Sequence, residues 1–250
     1  MSTMPSPLVS LIMPSYNYAG FLSMAIESAL AQTHSHIELI ICDDASQDDS
    51  FDVAQSWAQR DPRIIVMRNP VNLGIAQTRR RLLDQCRGTY VGHLDCDDLL
   101  ERWAVEEMLK AFASDPLIAL VYSDSAIIDA AGKVTSYRLE PDYSYRNLAY
   151  LGWRHFGMYK RELALMYGGY NPHVSGCEDG DLFMKIASRH VCHRLAKVLY
   201  FHRSHSSNSS ASNRKCDTCD VKSQCDYHAI WSKVVAEFYP AQTTDNSQSS

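Results

Sequence analysis

No apolar run in this 250-residue chain approaches the ~18 residues that a transmembrane helix needs. Residues 1–7 lack the basic and apolar regions of a secretory signal. A cytoplasmic protein is therefore expected, with peripheral docking on a membrane left open. Positive charge is not in excess: 24 Lys and Arg stand against 29 Asp and Glu, for a net charge of −5. That balance argues against a nucleic-acid partner. Neither Gly-x-x-x-x-Gly-Lys-Ser/Thr nor Gly-x-Gly-x-x-Gly occurs. Any phosphate bound here must then be neutralised by a cation and arginines, not by a glycine cradle. There is no internal repeat.

What is present is enough apolar residue, 46 %, for a full core. Short apolar runs alternate with helical periodicity. Leu8 to Met13 reads as a buried strand ended by Pro14. Phe21, Leu22, Ala25, Ile26, Ala29 and Leu30 repeat at helical spacing. Ile37 to Cys42 is a second strand, followed by a helix started by Asp48 and Asp49 and running to Gln59. Arg63 to Met67, a helix over Leu73 to Cys86, and a strand over Thr89 to Leu94 follow. This alternation predicts an α/β fold: a Rossmann-like, mostly parallel sheet flanked by helices. Further on come a helix marked by Trp103 to Phe112, a strand over Leu117 to Tyr122 and a hairpin around Ala131-Gly132. A strand-like stretch over Phe156 to Tyr159, a helix from Arg161, a turn at Gly168-Gly169, a helix over Asp181 to Ser188 and a strand over Leu195 to Phe201 complete the pattern. The expected division is a domain over 1–206 and a polar, cysteine-containing tail over 207–250, with a short helical segment over Tyr227 to Phe238.

The central strand stops at three carboxylates in four residues, Asp95, Asp97 and Asp98. Mg²⁺ and Mn²⁺ take oxygen ligands, commonly one or two carboxylates plus substrate phosphates. In parallel α/β sheets, ligands sit beyond the carboxyl ends of strands. The plain alternative is an acidic turn capping a helix that starts near Leu99. Tyr16, after the first strand, could stack on a nucleobase or simply edge the core. Asp44, after the second, could accept a base N–H, or cap a helix as Ser46 or Asp48 also could. Arg79 could reach a phosphate or lie on a solvated face; the run Arg79-Arg80-Arg81 points three ways, so at most two can serve. A base stacker, a base-reading acid and a metal carboxylate at successive strand ends together describe one nucleotide-diphosphate site.

A second acidic group, Glu178, Asp179 and Asp181, precedes an apolar helix. It either favours that helix start electrostatically or supplies a general base. In Tyr200 to Asn208, His205 could be a metal ligand and Arg203 a diphosphate contact, or both could be solvated. Cys42, Cys86, Cys96, Cys177 and Cys192 are scattered among apolar or motif positions and read as reduced thiols. Cys216, Cys219, Cys225 and His228 cluster within thirteen residues and could form a structural Zn²⁺ clip, or be free or oxidisable thiols.

These motifs, in this order, resemble the family 2 inverting glycosyltransferases of the GT-A fold. The resemblance rests on Val9 to Asn17, Gln32-Thr33, Asp43 to Ser46, Asn72 to Gly74, Gly88 to Val91, Asp95 to Asp98, Gly168 to Tyr170, Glu178 to Asp181 and Arg203 to His205, and covers about residues 8 to 208. It implies a nucleotide-sugar donor, UDP-sugar favoured, and a hydroxyl acceptor that is a glycan, lipid-linked or other. It implies Mn²⁺ or Mg²⁺ held by Asp97, with help from Asp95 and a third ligand position at His205. Asp179 would be the catalytic base. Pro14, Tyr16, Asp44, Arg79, Asp95 and Arg203 are the expected donor contacts. Cys96 stands where the family often has alanine or serine, and Arg79-Arg80 where it often has Arg-Asn. A nucleotidyltransferase is the first rival, but Pro14 to Gly20 lacks the basic, glycine-rich loop it would usually need. A non-catalytic module recruiting a partner through the tail is the second; intact Asp97 and Asp179 speak against it. An oligomer is left open. The sugar and acceptor specificity is expected within residues 124 to 175, where no code is readable.

Overall fold

A computed structural model describes residues 6–143, 156–172 and 178–205. The cysteine–histidine cluster, the Tyr227 to Phe238 segment and Cys177 lie outside them. β1 (Val9–Ser15), α1 (Ala19–Leu30), β2 (Ile37–Asp43), α2 (Ser50–Ala58), β3 (Ile64–Arg68), α3 (Ile75–Gln85) and β4 (Tyr90–His93) build the first half. β5 (Leu99–Leu100), α4 (Ala104–Ser114), β6 (Ile118–Ile128), β7 (Val134–Arg138), β8 (Gly157–Lys160), α5 (Arg161–Met166), α6 (Glu178–Ala187) and β9 (Val191–Arg203) build the second.

The strands join in one sheet in the order β3-β2-β1-β4-β8-β6-β9-β5, with β7 on β6. β1 and β2 are buried along their whole length because helices cover both faces. Period-two alternation sorts their side chains. Val9, Leu11 and Met13 join Leu39 and Ile41 in the core layer that also takes α1 and α4. Ile12 joins Ile40 and Cys42 in the layer under α3, α5 and α6. Cys42, Cys86, Cys96 and Cys192 are buried free thiols.

β3, β2, β1 and β4 pair in parallel, as the alternating pattern requires. Beyond β4 the sheet is mixed: β8 runs antiparallel to both β4 and β6, while β9 runs parallel to β6. β6 turns directly into β7 as the expected hairpin, whereas β9 is reached from β8 through α5 and α6. Two boundaries in the N-terminal half of the chain differ from expectation. Leu99 does not start a helix: Leu99 and Leu100 pair with Phe201 and Tyr200, and the helix begins at Ala104. Pro14 does not end β1 but lies inside it, opposite Cys42. β4 pairs with β1 only as far as Ile12, so Pro14 meets an unpaired edge, where a missing N–H is tolerated.

The chain order places a switch point at the end of β1. From β1 it winds outward to β2 and β3, then α3 returns it to β4 on the other side. The carboxyl ends of β1, β2 and β4 therefore converge, as ligand sites of open α/β sheets do.

Candidate donor and catalytic site

The loops at that switch point are locked to each other. Asn17 and Ala45 adopt positive φ of 59° and 61°, so each loop turns sharply after its strand. The Asn17 amide donates to Ser46 Oγ at 3.0 Å, and Asn17 Oδ1 accepts from the Gln47 amide at 2.8 Å. The first amides of α1 have no cap in their own loop. Tyr18 N donates to Ser50 Oγ and Ala19 N to Asp48 Oδ2, across to the neighbouring loop. Pro14 is buried in β1, and Tyr16, two residues on, is 39 % exposed at the strand's mouth.

Asp44 is buried and does not cap α2. Its Oδ1 accepts from Asn69 Nδ2 at 2.6 Å and Leu73 N at 2.8 Å, and its Oδ2 from Gly74 N at 2.9 Å. It organises the loop that feeds α3, whose preceding residue Gly74 has φ +83°.

The three carboxylates after β4 separate by environment. Asp98 is fully buried and structural: it accepts from the Tyr200 hydroxyl at 2.7 Å and the Arg203 amide at 2.7 Å, and lies 3.2 Å from His202 Nδ1. Asp97 is mostly buried, and its Oδ2 lies 3.0 Å from His205 Nε2. Burial first, then the charges of Asp98 and Asp95, pushes the Asp97 carboxyl up to about 8. Burial and Arg203 pull His205 below its usual value, so it is a neutral imidazole near pH 7. Its ring rests on Phe21, with centroids 4.6 Å apart. A crowded carboxyl and a neutral imidazole side by side are suited to share one divalent cation. Among the described residues, no group of three or more His, Cys, Asp or Glu is set to hold a metal. Two protein ligands completed by phosphate oxygens and water match how Mg²⁺ and Mn²⁺ bind.

Asp95 is the open member, its side chain 41 % exposed. Arg79 Nη2 donates to Asp95 Oδ1 at 2.8 Å. The same guanidinium has Nη1 3.1 Å from Glu178 Oε1 and 3.3 Å from Asp179 Oδ2. Arg79 is thus committed to three carboxylates and is 5 % exposed, not turned outward to a phosphate as expected. Of its neighbours in the run, Arg80 donates to the carbonyls of Gly168 and Tyr170, and Arg81 to Asn69 Oδ1. Arg203 departs from expectation too. It is 1 % exposed, and its guanidinium donates to the carbonyls of Asp97, Asp129 and Ala130. It stitches the acidic loop to the β6–β7 turn.

Glu178 and Asp179 lie in the first turn of α6 rather than before it. Glu178 is buried; burial, opposed by Arg79, pushes its carboxyl up to about 7. Asp181 is buried and paired with Lys185 at 2.6 Å. Asp179 keeps 24 % of its side chain exposed. Of the three, it alone is both ionically held and open to a second reactant.

Below Arg79 lies a layer that sequence reasoning missed. His93, on β4, is hydrogen-bonded to the Tyr170 hydroxyl, which lies 2.9 Å from the Tyr159 hydroxyl. The His93 ring stacks on Phe183 of α6, with centroids 5.0 Å apart. Burial and Arg79 keep His93 well below its usual value, hence neutral. Tyr200 and His202 were also missed, though period two was the available signal: both point to one face of β9, and both meet Asp98.

A helix-flanked mixed sheet with its strand ends converging at a switch point is the architecture of the GT-A fold. The chain belongs to glycosyl transferase family 2, whose family model matches residues 10–167. Chondroitin synthase of Escherichia coli is 34 % identical over 206 residues, which are 82 % of this chain and 30 % of that protein. Hyaluronan synthase of Pasteurella multocida is 32 % identical over 206 residues, 82 % of this chain and 21 % of that protein. The chain therefore spans less than a third of these relatives' length. Among solved structures, S. aureus TarS 1-349 in complex with UDP-GlcNAc matches with a TM-score of 0.70 at 16 % identity, over 92 % of this chain and 71 % of that one. The Pyrobaculum calidifontis mannosyltransferase PcManGT, in complex with GDP-Man and Mn²⁺, matches with a TM-score of 0.66 at 19 % identity, over 84 % and 61 %. At such identities the likeness is one of fold. No helix among the described residues is long and apolar enough to cross a membrane.

Proposed function

We propose that this chain transfers a sugar from a nucleoside-diphosphate sugar, a UDP-sugar first, to a hydroxyl of a glycan or lipid-linked acceptor, with inversion at the anomeric carbon. The observation that carries the reading is the meeting of Asp97 and His205 at 3.0 Å, with Asp179 joined to the same site through Arg79. The chondroitin and hyaluronan synthase relatives support a sugar transferred to a glycan. The UDP-GlcNAc complex of TarS supports the donor class, and the Mn²⁺ complex of PcManGT supports the cation.

Asp97 and His205 would hold Mn²⁺ or Mg²⁺, with Asp95 helping. When bound, such a cation offsets the charge that develops on the departing diphosphate. Tyr16 offers an exposed ring for the base to stack on. Asp44 stiffens the loop beside it, with spare lone pairs for a base N–H. Asp179 takes the proton of the acceptor hydroxyl as that oxygen attacks the anomeric carbon. One base and one displacement, with no covalent intermediate, require inversion. Residues 1–206 act as the transferase domain in this reading, and 207–250 as an appended tail.

The test is UDP or GDP release from a panel of nucleotide sugars with Mn²⁺, using wild type and Asp179→Asn. The wild type should release nucleotide with at least one donor. The amide is isosteric but cannot take a proton, so the variant should bind UDP normally and lose at least about a hundredfold in rate. The first-formed glycoside, read by NMR, should be inverted. A variant rate within about tenfold of wild type, less than a general base contributes, would move the base elsewhere. A retained anomeric configuration would refute the mechanism.

A further inference from the structure

Arg79 touches both acidic motifs while belonging to neither. It lies on α3, whose Leu82 and Leu83 pack into the core beneath the sheet. One guanidinium nitrogen meets Asp95 at the end of β4, and the other meets Glu178 and Asp179 at the start of α6. A cation this deeply buried persists only where carboxylates pair with it. The layer near it, His93 with Tyr159 and Tyr170, is buried and offers no negative charge. Its charge is therefore divided between the two motifs, and any change on one side alters what remains for the other.

We propose that Arg79 is a positioning residue that couples the donor half of the site to the base half. The proposal rests on reading Asp95 and Asp97 as the donor-cation half and Asp179 as the base. While Asp95 draws on the guanidinium, Glu178 and Asp179 are held less firmly. When a donor and its cation engage Asp95, the guanidinium is released toward α6 and fixes Asp179 before the acceptor arrives. Lysine cannot replace it, because a single ammonium lacks the two-nitrogen fork that reaches both motifs.

Two measurements on the full chain test this. The first is Mn²⁺-dependent UDP affinity by calorimetry. Glu178→Gln should weaken it about fivefold or more, because more of the Arg79 charge then falls on Asp95. In an Arg79→Gln background, the same substitution should change affinity by less than about twofold. An equal fold-change in both backgrounds overturns the coupling. The second needs no ligand. With Arg79 present, Asp95→Asn and Glu178→Gln should shift the Tm non-additively by about 2 °C or more, and additively in the Arg79→Gln background. Additivity in both backgrounds overturns the coupling as well. If Arg79→Gln does not fold, Arg79→Met, which fills the space without charge, serves as the background with the same expectations. If wild type binds no UDP with Mn²⁺, the functional reading fails while the second measurement still decides the coupling.

Discussion

At the scale of single residues, environment divides groups that the chain lists side by side. Asp95, Asp97 and Asp98 occupy four positions, yet one is open, one faces a histidine and one is consumed by Tyr200, His202 and Arg203. The motif was readable as acidic, but its division of labour was not, because β9 and His205 after it supply the partners of Asp98 and Asp97 from more than a hundred positions away, and α3 supplies Arg79 to Asp95. Asp97→Ala is therefore expected to abolish Mn²⁺-dependent UDP binding while the protein stays folded. Removing a crowded, buried carboxyl should leave the Tm level or higher. Calorimetry with UDP and Mn²⁺ checks it, and unchanged affinity would remove Asp97 from the cation site. Arg203 teaches the opposite lesson. It reads as a loop cation for a diphosphate, yet as the last residue of β9 it is enclosed by three carbonyls and the Phe21 ring.

At the scale of elements, the site depends on how closely strands approach. Ser10 on β1 donates to Glu38 on β2 at 2.6 Å and accepts from the Gly88 amide at 2.9 Å. Burial pushes the Glu38 carboxyl up, but the bonds from Ser10 and Arg87 outweigh it and hold it below its usual value. A Cβ at Gly88 would stand 2.6 Å from Ser10 N and 2.8 Å from Leu8 O, both main-chain atoms that cannot yield without moving β1. Gly88→Ala should cost about 1–3 kcal/mol and lower the Tm by at least about 3 °C. A thermal melt within ~1 °C of wild type would mean the strands have slack, against the tight packing expected of a protein interior. Element existence was legible over the first half because apolar runs alternate with helical spacing. Leu99-Leu100 was not, since a two-residue strand exists only by pairing with Phe201 and Tyr200.

At the scale of the whole molecule, the remaining prediction concerns residues outside the described part. Cys216, Cys219, Cys225 and His228 carry the ligand types and spacing of a closed tetrahedral site. Binding a metal through four protein ligands would add folding free energy to that stretch. Elemental analysis of the purified chain should find one zinc per molecule. Zinc well below one equivalent, with all three cysteines alkylated in the native state, would make the cluster a plain thiol-bearing tail. Among the described residues, the sequence alone determined the α/β class, the parallel sense of the first four strands and the identity of the acidic groups. Those depend on local periodicity and on which side chains end each strand. The tertiary structure alone decided that Arg79 would join two acidic motifs, that Asp179 and not Asp181 would stay open, and that His93 would lie neutral beneath them. Those outcomes depend on burial and on distances between segments far apart in the chain. Neither quantity is written in any one stretch of residues, because a carboxyl's charge and reach are set by what the fold packs against it.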